Sequence, residues 1–368
     1  MSGAKASLER ECALAKMRFS ENALQRECAL ARMRGESMKI DVHNHFYPVR
    51  FLKELEREGS RVGIAVEKDE WGRQILVQHG NRVVTITPPM NDVSKRLEDM
   101  DQIGFDKQVL TLSAPSVDIF PVEVGERLAR VVNDEIAEIC RDHPSRFTAF
   151  ATLPFLDPDL TVKELDRCIT QLQFKGACIG TNINGTGLDD SRLYPFYESM
   201  TKYDLPIHIH PRAPLDKVTY RDYRLGPMIG FEMELCVAVV RLVMGGVMEK
   251  FPKLKFIVSH LGGAIPYLAE RVQNCYDAYP ECQQHISQPA MVYLKRFYYD
   301  TVSFFEPALM CAYAFVGPGH MVLGSDYPHV IGDIREAITS IQNLRILQVE
   351  KEKIFSENLL RLMHLNAK

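Results

Sequence analysis

The chain has 368 residues, of which 46% are apolar and 25% charged, and its formal net charge is −4. This balance is typical of a globular protein and excludes a disordered or fibrous one. There is no basic excess that would attract nucleic acid or an anionic membrane, so a small molecule is the expected partner. We find no export signal or membrane-spanning run, and the nine scattered cysteines indicate free thiols in a reducing, cytoplasmic compartment.

The N-terminal segment contains two near-copies of one helix-forming sequence, ERECALAKMR at Glu9–Arg18 and QRECALARMR at Gln25–Arg34. Both copies are rich in Ala, Leu, Glu and Arg, which favour helices. We expect a helical extension over residues 1–37, which is either a partner or oligomerisation helix or a dispensable, disordered segment. The catalytic domain is predicted over residues 38–368.

Eight short runs rich in apolar and β-branched residues follow Met38, and helical periodicity recurs between them. The predicted strands are Lys39–Val42, Gln108–Leu112, Thr148–Thr152, Ala177–Thr181, Pro206–His210, Lys255–Ser259, Phe297–Thr301 and His320–Gly324. The predicted helices include Val122–Arg141, Asp159–Leu172, Leu193–Lys202, Phe231–Glu249 and Ala264–Asp277, with closing helices in Ile334–Leu365. This alternation predicts an α/β protein, a (β/α)8 TIM barrel.

The long interval between the first two predicted strands contains a smaller motif. Alternating runs at Trp71–Gln78 and Val83–Thr87 flank Gly80 and Asn81, which form a common turn dipeptide. We therefore predict a β-hairpin insertion. Because it follows the first strand, it is expected to lie over the mouth of the barrel.

Polar residues at the ends of the strands are the candidate functional groups, because barrel enzymes place their chemistry there. Four of the eight predicted strands end in such residues: His43 and His45, His208 and His210, His260, and Asp326. His43 and His45 are two residues apart and can both face the barrel axis. Together with His210 and Asp326 they predict a site for one metal ion. Three nitrogen ligands and one oxygen favour zinc, and manganese, iron and cobalt stay open.

Three further assignments follow from strand positions. His208 has the same parity as His210, but His210 is nearer the mouth and is the preferred ligand, whereas His208 is expected to be buried behind it. His260 is expected to act as a general acid or base, because four ligands are already supplied. Lys175 precedes its strand and lies at the opposite end, which favours one metal over a lysine-bridged pair.

These residues resemble the amidohydrolase superfamily, and within it the branch of aminocarboxymuconate semialdehyde decarboxylase and the hydroxybenzoate decarboxylases. The resemblance extends from Met38 to the C-terminus, and its motifs include Met38–His45, Arg96–Asp101, Met244–Lys255, Ser259–Gly263 and Gly324–Pro328. It implies that His43, His45, His210 and Asp326 bind one metal, that His260 lies over the metal, and that a homodimer forms. In the expected reaction, His260 and Asp326 would move the proton.

Three arginines are candidate substrate ligands through the same resemblance. Arg96 matches an arginine that holds the substrate carboxylate. Arg212 follows the His-Pro of strand five, as in the hydroxybenzoate decarboxylases, where the muconate enzyme has an aromatic residue. Arg271 falls where the family can reach across a dimer interface. For Arg96 and Arg271, an ordinary exposed charge on a helix is the alternative.

The expected reaction is the non-oxidative decarboxylation of an aromatic or enolic carboxylic acid. Hydroxybenzoate decarboxylases often carry Glu at the position of His43, so the identity of the acid stays open. Alternative functions are a metal-dependent hydrolase of a lactone or amide, a hydratase of an unsaturated diacid, and a barrel with a purely structural metal.

Overall fold

The computed structural model describes residues 37–216 and 218–365. Apart from Ser37, the expected helical extension lies outside the described residues, so the domain boundary at residue 38 stays a prediction. Within the described residues, every helix is too short or too polar to cross a lipid bilayer.

The described part of the chain contains thirteen strands. They are β1 Ile40–His45, β2 Ile64–Lys68, β3 Gln74–Gln78, β4 Asn81–Thr85, β5 Lys107–Thr111, β6 Phe147–Ala149, β7 Ala177–Gly180, β8 Asn182–Ile183, β9 Thr186–Gly187, β10 Pro206–His210, β11 Lys255–Val258, β12 Tyr298–Asp300 and β13 Met321–Val322. The eight predicted strands correspond to β1, β5, β6, β7, β10, β11, β12 and β13. Strand β1 continues as far as His45, so both of its histidines belong to the strand itself.

The eight parallel strands form a closed barrel. They pair in two sheets, with the orders β1-β5-β6 and β13-β12-β11-β10-β7. Backbone hydrogen bonds join the sheets at both seams: the Ala151 N–H donates to the Gly176 carbonyl at 2.9 Å, and the His45 N–H donates to the Tyr327 carbonyl at 2.8 Å. Isolated parallel bridges lie at the same two seams. The predicted (β/α)8 fold is therefore confirmed.

Helices connect the strands. They are α1 Val49–Glu58, α2 Pro88–Asn91, α3 Val93–Ile103, α4 Val122–Asp142, α5 Pro158–Thr170, α6 Tyr194–Tyr203, α7 Phe231–Met244, α8 Val247–Lys250, α9 Ile265–Ala278, α10 Ala290–Leu294, α11 Glu306–Val316, α12 Ile334–Gln342, α13 Gln348–Glu352 and α14 Asn358–Leu362. The predicted single helix Phe231–Glu249 is wrong in one respect, since it breaks after Met244. Gly246 has a φ of 78°, and a Cβ there would lie 2.7 Å from the His285 carbonyl oxygen.

The predicted hairpin insertion is confirmed. Strands β3 and β4 pair antiparallel, with Gln78 opposite Asn81 across the turn at His79 and Gly80. A third strand, β2, pairs with the other side of β3 and was not predicted. Ile64 is the one fully buried residue of β2, so the apolar pattern of that strand is weak.

Apolar residues fill the part of the barrel below the site. Ile40, Ile257 and Val322, from three different strands, pack with Leu359 and Met363 of the C-terminal segment. This confirms that the tail supplies closing helices. The polar residues come later along the same strands, at their carboxyl ends, so the functional groups rest on a packed core.

Candidate metal centre and active site

Four side chains converge at the carboxyl ends of the strands. His43 and His45 come from β1, His210 ends β10, and Asp326 follows β13; each offers one ligand atom, and these atoms lie within 4.8 Å of one another. The Nε2 atoms of His43 and His45 lie 3.3 and 3.1 Å from the same oxygen of Asp326, Oδ1. The structure therefore brings together all four residues that the sequence suggested as metal ligands.

Strand β1 reaches this geometry through a bulge. Asp41 pairs with Gln108 of β5, but the next pair is Asn44 with Leu110, so β1 has one residue more than its neighbour over this stretch. A bulge bends a strand and re-aims its side chains. The bulge lies between Asp41 and Asn44, a stretch that includes His43 and ends one residue before His45.

Hydrogen bonds fix which ring nitrogen each histidine offers. His43 Nδ1 lies 2.6 Å from Asp300 Oδ2, and His210 Nδ1 lies 3.0 Å from the Pro211 carbonyl oxygen. A carbonyl oxygen only accepts, so the His210 Nδ1–H must donate, and a charged Asp300 imposes the same tautomer on His43. With both Nδ1–H groups donating, Nε2 is the atom of each ring that is left to face a metal ion. Outer partners of this kind orient histidine ligands in metal sites.

The electrostatics of the cluster favour a cation. Burial lowers the pKa values of His45 and His210 far below the usual range, so both are neutral donors. Burial also opposes charging of Asp326, but hydrogen bonds from His43 and His45 outweigh it and hold the Asp326 pKa well below the usual range. At His43, burial is outweighed by Asp300 and Asp326, which raise its pKa to about 10. The neutral imidazoles of His45 and His210 beside a buried carboxylate fit a single divalent metal ion, which would take the place of the proton on His43 Nε2.

Asp300 was missed by sequence reasoning. It ends β12, is fully buried, and accepts hydrogen bonds from the backbone N–H groups of His260 at 2.7 Å and Val302 at 3.0 Å, as well as from His43. Burial opposes its charged form, but the charge on His43 and the hydrogen bond from His43 outweigh burial, so the pKa of Asp300 is depressed. The signal was available, since Asp300 is the polar residue that ends the seventh strand of the barrel.

Asp41 holds the last strand of the barrel in place. It is fully buried, and its carboxylate accepts hydrogen bonds from Ser325 Oγ at 2.6 Å and Gln108 Nε2 at 3.0 Å. Burial raises its pKa to about 7 against these hydrogen bonds. Ser325 precedes Asp326, which has a φ of 56° in the left-handed region. Asp41 thus ties β1 to the residue next to the candidate ligand.

His260 stacks on the cluster. Its ring lies parallel to that of His43, with a centroid distance of 5.1 Å and an interplanar angle of 12°. Its Nδ1 faces Glu232 Oε1 at 2.8 Å, and its Nε2 is buried without a hydrogen-bond partner among the described residues. Burial opposes protonation, but Glu232 outweighs it, so the pKa of His260 is raised. The position suits the acid or base role expected from the sequence.

His208 lies in a neighbouring group with His43 and Asp300. Its Nε2 is 3.1 Å from Ser259 Oγ and 3.9 Å from Asp300 Oδ2. Burial lowers its pKa to about 4. His208 is therefore a buried, neutral residue behind the four-residue cluster, where the sequence suggested it would be.

Arg96 lies beneath the end of β1, where its guanidinium contacts protein acceptors. Its side chain is fully buried, and its guanidinium donates to Pro89 O at 3.0 Å, to Asn44 Oδ1 and Gln108 Oε1 at 2.9 Å, and to the His45 carbonyl oxygen. Burial lowers its pKa to about 10. These contacts hold the end of β1, next to His45.

Arg212 lies across the end of β7. It pairs with the buried carboxylate of Asp118, and a Cβ at Gly180 would lie 2.0 Å from its Nε, so a larger residue at position 180 would displace the Arg212 side chain. Its side chain is 16% exposed. Arg271 is exposed on α9 and contributes nothing to the four-residue cluster. Lys175 precedes β7, at the opposite end from the site, as expected.

His329 is a second residue that sequence reasoning missed. Its ring centroid is 4.8 Å from that of His45, and its Nε2 lies 3.3 Å from Ser113 Oγ. Burial lowers its pKa. His329 follows Asp326 by three residues, in the sequence Asp-Tyr-Pro-His, and its proximity to the strand-eight carboxylate was the signal.

A closed parallel barrel with three histidines and an aspartate at its mouth defines a metal-dependent barrel enzyme. The chain belongs to the amidohydrolase family, whose model matches residues 40–365.

Curated relatives of this chain are decarboxylases. The chain is 28% identical to 2-amino-3-carboxymuconate-6-semialdehyde decarboxylase of Dictyostelium discoideum, over 90% of this chain and 92% of that protein. It is 32% identical to gamma-resorcylate decarboxylase of a Rhizobium species, over 74% of this chain and 87% of that protein. These relatives come from the branch that the sequence motifs resemble.

Solved structures of decarboxylases are also similar to this chain. The 5-carboxyvanillate decarboxylase of Sphingomonas paucimobilis has a TM-score of 0.79 and 26% identity, covering 90% of this chain and all (100%) of that chain. The dihydroxybenzoic acid decarboxylase of a Polaromonas species has a TM-score of 0.75 and 27% identity, covering 90% of this chain and 98% of that chain. The latter structure contains manganese and the inhibitor 2-nitroresorcinol.

Proposed function

We propose that this protein is a metal-dependent, non-oxidative decarboxylase of an aromatic or enolic carboxylic acid. The observation that carries the proposal is the convergence of His43, His45, His210 and Asp326 beneath the stacked ring of His260. Relatives that act on 2-amino-3-carboxymuconate semialdehyde and on gamma-resorcylate support this reaction class. The substrate class is therefore a small carboxylic acid with an enol, phenol or amine next to the carboxylate.

We propose His43, His45, His210 and Asp326 as the ligands of one divalent ion. When bound, the ion supplies a Lewis acid that polarises a substrate oxygen. Zinc is proposed because imidazoles dominate the donor set. Manganese is the competing metal, since it occupies the dihydroxybenzoic acid decarboxylase of the Polaromonas species.

The residues around the cluster have distinct tasks in the reaction. Decarboxylation breaks the bond between the substrate carbon and the carboxylate, carbon dioxide leaves, and the electron pair stays on carbon. A proton must then form the new C–H bond, and we propose that His260, protonated on both ring nitrogens at that stage, delivers it from Nε2 and keeps the Nδ1–H that bonds Glu232. Asp326 is proposed to take part in the same proton movement. Arg212 is proposed to orient the substrate through guanidinium donors that Asp118 does not use.

The proposed roles of the other two arginines differ. Arg96 is proposed to support His45, because its donors pair with protein acceptors. Arg271 is proposed to reach the site of a second copy in a homodimer, which is compatible with its exposure on α9. Measuring the molecular mass of the purified protein in solution tests whether it is a dimer.

A cytoplasmic location is also proposed. The seven cysteines in the described part of the chain are all free thiols. Free thiols persist in a reducing compartment. Fractionation of cells that express the full chain tests this location.

The central experiment measures metal content and carbon dioxide release together. The purified protein would be analysed by mass spectrometry for bound metals and assayed with hydroxybenzoates and muconate semialdehydes. We expect about one divalent ion per chain and stoichiometric carbon dioxide release, with His43→Ala losing both. Incorporation of water without loss of carbon would contradict the proposal and favour the hydrolase or hydratase.

A further inference from the structure

We infer that Glu232 is a positioning residue for His260, and that its carboxylate fixes the tautomer and the ring plane with which His260 meets the substrate. Glu232 lies in the first turn of α7, and its Oε1 is 2.8 Å from His260 Nδ1. No strand end carries this residue, and the sequence pattern gave no reason to connect it with the site. The catalytic consequence rests on the proposed function, whereas the geometry does not.

The contact determines which nitrogen of His260 is free. A carboxylate accepts hydrogen bonds, so His260 Nδ1 must carry a proton and donate it to Glu232. In the neutral ring, the lone pair is then on Nε2, the atom that is buried and unpartnered among the described residues. A histidine without such a partner can carry its proton on either nitrogen.

Two further contacts restrict the ring. It stacks on His43 at 5.1 Å, and the backbone N–H of His260 donates to Asp300 Oδ1 at 2.7 Å. Asp300 also bonds His43 Nδ1, so one carboxylate sets the spacing of the two rings. The hydrogen bond to Glu232 supplies the remaining constraint, because it limits rotation of the imidazole ring about its bond to Cβ.

The loop after β11 is shaped to let Glu232 approach. Gly263 has a φ of 62°, and a Cβ there would lie only 2.2 Å from the Glu232 carbonyl oxygen. His260 and Leu261 have φ values of 52° and 56°, in the left-handed region that residues other than glycine rarely adopt. Such conformations persist where the surroundings enforce them, and they cluster at functional sites. The close packing of this loop on α7 brings the glutamate within hydrogen-bond distance of the histidine.

Variants at position 232 separate a positioning role from a general structural one. In Glu232→Ala the acceptor is lost, and we expect kcat to fall roughly 10–100-fold with KM changed by less than about threefold. Glu232→Gln keeps an oxygen that can accept the Nδ1–H, so it should retain most of the activity. Glu198→Ala, at an exposed glutamate of α6, is the matched control and should leave kcat unchanged.

A spectroscopic readout tests the inference without turnover. In protein with 15N-labelled histidine, the ring nitrogen shifts of His260, assigned with His260→Asn, report its tautomer. We expect the Nδ1–H form in the wild type and in Glu232→Gln, and a mixture of tautomers in Glu232→Ala. An unchanged spectrum in Glu232→Ala overturns the inference, even if carbon dioxide release shows the proposed function to be correct. A failed carbon dioxide assay with the expected spectra would reject the function and keep the inference.

A double variant adds a thermodynamic test. If Glu232 acts only through His260, then adding Glu232→Ala to His260→Ala should cost no further activity. An additional loss in the double variant would mean that Glu232 supports the site by another route and would refute the inference. If Glu232→Ala does not fold, Glu232→Asp replaces it in the same comparisons, because it withdraws the carboxylate from His260 by one methylene.

Discussion

Asp300 Oδ2 accepts a hydrogen bond from His43 Nδ1 at 2.6 Å, between two side chains that are both fully buried. This contact turns the other nitrogen of His43 toward Asp326 Oδ1, 3.3 Å away. One carboxylate outside the ligand set therefore determines how a proposed ligand presents itself.

Replacing Asp300 by Asn should weaken metal binding. An asparagine can offer its NH2 group to His43 Nδ1 and so stabilise the wrong tautomer of the ligand. We expect an affinity loss of roughly 10–100-fold, the usual cost of removing an outer partner of a ligating histidine. Competition with a fluorescent chelator measures it, with Asp101→Asn at an exposed position as the control. Unchanged affinity would show that Asp300 does not control His43.

The two histidines of β10 should behave differently. His210→Asn is expected to lose the metal ion, because His210 belongs to the converging cluster. His208→Asn should keep about one ion per chain, since His208 bonds Ser259 behind the cluster. Metal analysis after gel filtration gives the ratio directly. The reverse result would exchange the two assignments.

Replacing Arg96 by Met should reduce stability more than substrate binding. The variant leaves buried acceptors on Asn44, Gln108 and the β1 backbone without a donor. We expect the free energy of unfolding to fall by roughly 3 kcal/mol or more, measured by urea denaturation. The comparison is Arg212→Met, which should mainly raise KM. A normal unfolding curve together with a raised KM in Arg96→Met would restore Arg96 as a carboxylate ligand.

Metal removal should destabilise the folded chain. An ion that binds only the native state at 100 times its dissociation constant stabilises it by about 2.7 kcal/mol. Dialysis against a chelator should therefore lower the melting temperature, and adding back zinc or manganese should restore it. His210→Asn should show no such response. If the melting temperature of the wild type does not change when the metal is removed or added back, the result would argue against the four proposed ligands.

The barrel and the four converging residues were predictable because each depends on local pattern. His43 and His45 lie two residues apart on one strand, and His210 and Asp326 end strands of their own, so parity and position suffice. Asp300 could have been found by the same reasoning at strand seven.

Other features depend on tertiary distances that no local pattern reveals. Glu232 approaches His260 only because the backbone of Gly263 allows it. The guanidinium of Arg96 could have pointed to a substrate or to the backbone of β1, and the sequence is the same in either case. Strand β2 was missed because its apolar pattern is weak, and the strand is recognised only by its antiparallel pairing with β3.

The seam between β1 and the end of the barrel has a consequence for biosynthesis. His45 and Asp326 are 281 positions apart in the sequence, yet they are neighbours at the place where the first and last strands meet. A ribosome must therefore have released almost the whole chain before the four donors can assemble. Binding of the proposed ion would consequently follow synthesis of almost the whole chain, and the ion would hold the first and last strands of the barrel together.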